Sequence, residues 1–482
     1  MTGSPFPLPT RLGRVRRSLG AQATPLIIAV AFFLEEIDAT ILTTSLPQMA
    51  RSLGVDAPRM SLAISCYLLS VAIVLPVSGW LSDRIGARRA YCAALGVFAA
   101  GSALCGWAPS LPLLLVGRAV QGMGGACMTS VGRLIVVRAV PKEQLLTATN
   151  YMIAPALLGS LLGPVVGGFI TTYFSWRWNF LINVPLGLLG ILVSVAVVPP
   201  VARQPARPFD WTGFGMLALS LCLIQLIVRP GGLAGGGPGG YLLAAGVTGG
   251  LLAGYVRHAR RTPHPLVDIR LLRTRTLAVT VMAGGLARIA SGALPFVLPL
   301  LLQTVFGLDP LHSGLLTLAA TAGAFVSRAG AGAAMRRLSL RTLLVINALV
   351  LATLIGGLAR FTPASPHAWI FVYLLILGFL RSVQLSTLTA LGYADLEANQ
   401  FSHATTLITL AARCFMSGGI ILAAAVLGAL AGPHGATAGD FAVVFGILAM
   451  LMGGSAIGFG YLRHTDGWQL SRPAGEPPAS PA

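Results

Sequence analysis

Long apolar runs separated by short polar or basic connections set the pattern of this chain. A helix needs about 20 apolar residues to span a bilayer. Runs of that kind occur near 24–46, 60–81, 89–108, 111–139, 145–173, 178–199, 210–229, 239–257, 276–305, 312–333, 341–360, 367–391, 402–431 and 439–462. They predict about fourteen spanning helices. Several exceed about 25 residues, which predicts tilt or helices that project beyond the bilayer.

Composition agrees. Of 482 residues, 55% are hydrophobic and 10% charged, against about 25% charged in an ordinary soluble domain. A water-soluble fold of this length is excluded, and a polytopic membrane protein remains. The 58 glycines lie within the apolar runs without a three-residue period, so they signal neither collagen nor disorder. The six cysteines form no CxxC and no Cys/His cluster of metal spacing, so neither a disulfide framework nor a metal site is expected.

The formal charge of +19 is almost all arginine, Lys142 being the one lysine. In a membrane protein such residues report cytoplasmic orientation rather than nucleic-acid binding. One side holds the N-terminal arginines, Arg84/Arg88/Arg89, Arg133/Arg138/Lys142, Arg203/Arg207, the run from Arg257 to Arg275, Arg336/Arg337/Arg341, and the tail with Arg463 and Arg472. The other side holds only Arg51, Arg59, Arg177, Arg229 and Arg360, and the loop at Asp395 and Glu397 has no basic residue. This predicts an even span number with both termini cytoplasmic. Arg11, Arg14, Arg16 and Arg17 before an apolar stretch resemble a signal peptide, but Glu35, Glu36 and Asp38 interrupt it and no small-residue cleavage site follows. A retained first helix is expected.

The basic loop 257–275 divides the spans. The expected organisation is a cytoplasmic tail 1–23, a front six-helix bundle 24–200, two linking spans with the basic loop 201–275, a rear six-helix bundle 276–462, and a cytoplasmic tail 463–482. The glycine-rich run 231–240 joins the two linking spans.

Ionisable residues inside a membrane cost about 2.5–3.5 kcal/mol each. The first helix carries three, Glu35, Glu36 and Asp38. At about 100° per residue, Glu35 and Asp38 lie about 60° apart, while Glu36 is about 160° from Asp38. Glu35 and Asp38 are therefore expected to face the bundle interior and Glu36 a neighbouring helix. Burial and a nearby like charge both favour the neutral carboxylic acid, which lets such a group load and release a proton near neutral pH. A proton relay is one reading; a static network neutralising a buried arginine such as Arg118 is the other.

Arg118 stands about five residues into an apolar run beside Gly122, Gly124 and Gly125. It can snorkel to a headgroup, but the small residues favour an inward position shielded from lipid. In GWLSDRIGARR (79–89), Asp83, Arg84, Gly86, Arg88 and Arg89 occupy a turn too short to leave the surface, which suits a latch between two helices. Gly159, Gly163 and Gly167, with Pro164 and Gly168, give one helix a flat packing face and a bend. In the rear half Arg288, Arg381 and Arg413 lie in apolar runs without an accompanying acid, with Gln303, Gln384, Ser386, Thr387 and His403 adding polarity. A central cavity would thus have acids in front and arginines behind, although structural pairing is equally open for each.

In this order the motifs resemble the major facilitator superfamily, specifically its 14-spanner drug:proton antiporter branch. The carriers are IDATILTTSLP (37–47), GWLSDRIGARR (79–89), GRAVQG (117–122), GPVVGG (163–168) and WRWNFLINVPLG (176–187), and the similarity runs through nearly the whole chain. The resemblance implies an all-α fold of two six-helix bundles plus two linking helices, rocking around a midplane site. It implies export driven by proton entry at the bacterial inner membrane, with no cofactor, by a monomer whose partners are protons, a small molecule and lipid. It assigns proton coupling to Asp38 and Arg118 and gating to Asp83, Arg84, Gly86, Arg88 and Arg89; the residues themselves add Glu35 and Glu36 to the proton-coupling set. The bend of the antiporter helix falls to Gly159, Gly163, Pro164, Gly167 and Gly168. The sequence departs from the pattern in Thr43 where Asn is usual, in the added Glu35 and Glu36, in the missing acid of 327–341, and in Arg381.

Multidrug efflux is the leading functional expectation. Glu35 and Asp38 would attract a lipophilic cation, whereas Arg288, Arg381 and Arg413, with Gln303 and Gln384, would suit an organic anion or a metal–carboxylate complex such as that of citrate. A receptor or assembly factor is the non-transport alternative. An enzyme is not expected: HExxH and GxSxG are absent, and the one lysine follows Pro141 instead of closing a phosphate-binding GxxxxGK.

Overall fold

The computed structural model describes residues 11–140, 144–199, 208–228, 237–263, 265–337, 339–397, 400–432, 435–463 and 466. The tails beyond these limits, Lys142, Arg203, Arg207, Arg229, most of the glycine-rich run and Arg472 lie outside the described residues.

The described chain is helical: α1 (Arg11–Ile41), α2 (Leu46–Leu53), α3 (Ser61–Ile85), α4 (Ala87–Gly106), α5 (Leu111–Ala139), α6 (Leu145–Tyr173), α7 (Trp178–Leu181), α8 (Asn183–Val197), α9 (Trp211–Val228), α10 (Gly237–Arg261), α11 (Arg275–Thr304), α12 (Pro310–Arg337), α13 (Leu340–Gly357), α14 (His367–Tyr393), α15 (Phe401–Leu430) and α16 (Ala438–Gly460). Twelve of the described helical segments are long and apolar enough to cross a membrane. The other two helices of spanning length are α1, which carries three acids, and α12.

Two expected spans are broken. The run 24–46 ends at Ile41, and the chain turns before restarting as α2. Pro47 lies in the first turn of α2, where its missing N–H costs nothing, and it offers no N–H to the Thr43 carbonyl four residues back. The run 178–199 is interrupted at Ile182, between α7 and α8. Pro185 has no N–H to offer the Leu181 carbonyl four residues back, which removes one hydrogen bond across that break. At the other end, α1 begins at Arg11, so the basic segment expected as a tail is already helical.

Helices α1 and α3–α8 pack among themselves, as do α11–α16. Two seams join these groups, α6 against α12 and α3 against α15, while α9 packs on α10 and touches both α3 and α15. Small residues set how closely helices approach. A side chain at Gly163 would overlap the Thr40 hydroxyl, one at Gly124 the Phe98 backbone, and one at Gly419 the Ile289 carbonyl.

The two groups close on each other at one end. A Cβ at Gly168 would meet the Pro310 carbonyl and one at Gly314 the Pro164 carbonyl. Leu311 N donates to Thr172 Oγ1 at 3.2 Å, and Gln303 Nε2 to the Thr44 carbonyl at 2.8 Å. At the other end they diverge around a cavity of about 860 Å³. Its walls come from residues 71–79 of α3, 129–133 of α5, 153–161 of α6, 321–328 of α12 and 405–413 of α15. Each of these stretches lies nearer the end of its helix at Ile85, Ala139, Leu145, Arg337 or Phe401. The cavity thus opens on the side of the basic loops.

Candidate functional site

Two charged centres lie side by side on α1, one sealed inside the front group and one facing the cavity. The sealed centre is Asp38, 1% exposed. Its Oδ2 accepts from Arg118 Nη1 at 2.8 Å, and its Oδ1 from Gln121 Nε2 at 2.7 Å and Asn183 Nδ2 at 3.0 Å. Arg118, also 1% exposed, donates through Nε to the Ala63 carbonyl at 3.1 Å and through Nη1 to Gln121 Oε1 at 2.6 Å. Its guanidinium lies 4.3 Å from the centre of the Tyr67 ring, a cation–π arrangement. Gln121 Nε2 also donates to Ser102 Oγ at 2.8 Å. Helices α1, α3, α4, α5 and α8 are thereby tied to one carboxylate, and Arg118 points inward instead of snorkelling.

Gln121 and Asn183 were not singled out by the sequence. Gln121 lies three residues after Arg118, on the same helix face. Asn183 follows the α7 break, where a polar side chain in an apolar run was the available signal.

The open centre is the cavity, lined by Glu35 and Glu36 of α1, Arg133 of α5, Arg328 of α12, Arg381 of α14 and Arg413 of α15. Arg413 Nη2 lies 3.4 Å from Glu35 Oε1, an ion pair between the two groups of helices. Arg381 donates to the Ser291 carbonyl at 3.2 Å. Glu36, Arg133, Arg328 and Arg381 form no ion pair within 4.0 Å among the described residues. A smaller cavity of about 100 Å³ continues past Arg381 toward the closed end, between Thr40, Pro164, Pro295, Leu298 and Pro299.

Glu36 corrects the helical-angle expectation, since it lines the cavity and not a helix contact. Glu35 stands between Asp38 on one flank and Glu36 on the other, and the cavity is wide enough to receive both glutamates. Arg133 and Arg328 join the cavity although sequence reasoning placed neither there. Positive-inside patterning had absorbed Arg133 into the loop charges.

Four residues expected to bind substrate stand elsewhere. Asp38 is enclosed by the Arg118 network. Arg288 is buried and donates to the Thr280 carbonyl of its own helix at 2.9 Å. Gln303 bonds Thr44 at the closed end. Gln384 accepts from Asn347 Nδ2 at 2.8 Å and donates to the Leu344 carbonyl at 3.4 Å, inside the rear group. Each polar side chain has found a local partner, as buried polar groups must.

At the proposed gate, Gly86 is the single residue between α3 and α4, and its φ of 93° suits glycine. Asp83 Oδ1 accepts from Arg138 Nη2 of α5 at 3.1 Å, Arg88 donates to the Val198 carbonyl at 3.3 Å, and Arg84 lies 5.1 Å from the Trp80 ring. Arg89 is exposed. On α6, Gly159, Gly163 and Gly167 face α1 at Phe33, Thr40 and Ile41, and Gly168 and Pro164 meet α12.

Comparison with known proteins agrees with this architecture. The model of the Major Facilitator Superfamily matches residues 28–419. The chain is 36% identical to MdtD of Pectobacterium carotovorum, provisionally named for multidrug resistance, over 87% of this chain and 90% of that one. It is 35% identical to MdtD of Escherichia coli O6:H1, over 85% and 86%. Among solved structures, the POT family transporter PepTSo aligns with a TM-score of 0.69 at 13% identity, covering 94% of this chain and 99% of that one. A D-xylose–proton symporter aligns at 0.66 and 14%, covering 92% and 99%. With twelve apolar spans among the described residues, the chain is a multi-pass inner-membrane transporter and not an enzyme. It belongs to the Major Facilitator Superfamily.

Proposed function

We propose that this chain is a proton-coupled exporter of small molecules that works by alternating access, with multidrug efflux as its role. The observation that carries this reading is the Glu35–Arg413 pair, which bridges the two helix groups across a cavity open at one end only. Protonating Glu35 removes that bridge and the charge that holds it. The closed end is held by close backbone approaches and two hydrogen bonds. Opening there while the basic end closes would carry the cavity contents across.

Asp38 and Arg118 support the coupling, since a buried carboxylate tied to five helices makes their packing sensitive to its charge. Proton entry supplies about 2.3 kcal/mol per charge per 100 mV, enough to move a small molecule uphill. The arginines on the basic loops make the open end cytoplasmic by the positive-inside rule. The names of the MdtD relatives favour drugs as cargo. Cells expressing the chain should retain less fluorescent drug than vector controls, and a protonophore should abolish the difference. Equal retention with and without the protonophore would refute proton coupling.

A further inference from the structure

The charge layout of the cavity narrows the cargo. Four guanidiniums face two carboxylates, so the cavity carries two excess positive charges when both glutamates are ionised. One carboxylate, Glu35, is paired with Arg413. The other, Glu36 on α1, makes no ion pair among the described residues, nor does Arg381 on α14. Glu36 and Arg381 line the same cavity from opposite helix groups, so an unpaired negative charge and an unpaired positive charge face one space. Beyond Arg381 the small proline-lined cavity offers apolar room.

We infer that the preferred cargo is an ampholyte, a molecule with a protonated amine at one end and a carboxylate or similar anion at the other. The amine is held by Glu36 and the anion by Arg381. This rests on the antiport reading above and is the charge class that satisfies it.

A simple cation would enter a cavity of net positive charge. A simple anion would bind better when Glu36 is protonated, and by reciprocity would itself favour that protonation. Anion and proton would then be bound together and travel together, the opposite of exchange. An ampholyte escapes both problems: its ammonium competes with the proton for Glu36, while its anion answers the arginines. The charged groups acting on Glu36 are Glu35 from its own helix, Arg413 from α15 and Arg328 from α12. A cargo ammonium therefore has one unpaired carboxylate to bind, and a cargo anion has Arg381, with Arg328 exposed nearer the mouth.

The test uses purified full-length chain and three fluorescent quinolones that share one ring system. Norfloxacin carries a piperazinium and a carboxylate, its N-acetyl derivative only the carboxylate, and its decarboxylated derivative only the piperazinium. Norfloxacin should bind at least about tenfold more tightly than either derivative, as expected for the loss of one charge-assisted contact. Lowering the pH within the range where the quinolone carboxylate stays ionised should weaken norfloxacin binding and leave the N-acetyl derivative unweakened.

Glu36→Gln should bring the norfloxacin to N-acetyl ratio to about one and remove the pH effect, and Arg381→Gln should do the same for the decarboxylated ratio. If either derivative binds the wild-type chain as tightly as norfloxacin, or none of the three binds, the assignment is overturned, whatever the variants do. Proton release in vesicles is read separately. The predicted binding order without proton release supports the cargo class and refutes antiport; proton-coupled transport of the decarboxylated cation alone supports antiport and overturns the cargo class.

Discussion

Asp38→Asn should uncouple transport from protons and destabilise the front group of helices. The carboxylate accepts from three donors, Arg118, Gln121 and Asn183. An amide of the same shape offers one oxygen and must turn an NH2 toward at least one of those donors. It also leaves Arg118, 1% exposed, without a counter-charge. Breaking a buried pair by removing one partner costs about 3–5 kcal/mol. Asparagine keeps one acceptor and adds no cavity, so the lower end applies, about 3 kcal/mol or about 150-fold in the equilibrium it opposes.

The assay has two arms on purified protein. Thermal unfolding in detergent should show the destabilisation, and the double variant Asp38→Asn/Arg118→Gln should recover most of it, because no unpaired charge remains buried. Substrate-dependent proton release in proteoliposomes should be lost in both variants. A merely structural pair would regain coupling in the double variant along with its stability. Full proton-driven transport by Asp38→Asn, or a double variant no more stable than the single one, would refute the reasoning.

Gly163→Leu should block turnover while the protein still inserts, because a side chain there overlaps Thr40 on α1; normal transport would place that glycine face outside any moving contact. In a background with the native cysteines replaced by serine, Thr172→Cys with Leu311→Cys should crosslink the closed end, since Leu311 N lies 3.2 Å from Thr172 Oγ1. Oxidation should then stop transport and reduction restore it, whereas undiminished turnover of the oxidised protein would exclude opening at that end. Asp83→Asn should slow transport with little effect on cargo binding, because it removes the partner of Arg138 at 3.1 Å outside the cavity; a matching loss of binding affinity would place Asp83 in the cargo site instead.

Much of the fold was legible because hydropathy reports what a bilayer demands, and residues such as Arg118 and Asp38 stood out as charges where charges are costly. The breaks at Ile41 and Ile182 escaped an apolar count that is blind to Pro47 and Pro185, each of which lies in the first turn of the helix after the break. For the site, helical angle placed Asp38 correctly against the bundle interior and misplaced Glu36, because the width of the cavity is a property of the assembled groups. Gln303 and Gln384 looked like cargo ligands for their polarity alone; their partners, the Thr44 carbonyl and Asn347, are distant in sequence and invisible to it. Gln121 and Asn183 were missed for the converse reason: neutral amides become informative only beside the carboxylate they serve.

The most direct test of proton-driven exchange is simultaneous measurement of cargo and proton flux in proteoliposomes with an acidic interior. The account predicts that cargo accumulates inside above its external concentration, that protons leave in fixed ratio to cargo entering, and that a protonophore collapses both. Cargo that equilibrates without exceeding its external concentration, or proton flux indifferent to cargo, would contradict it.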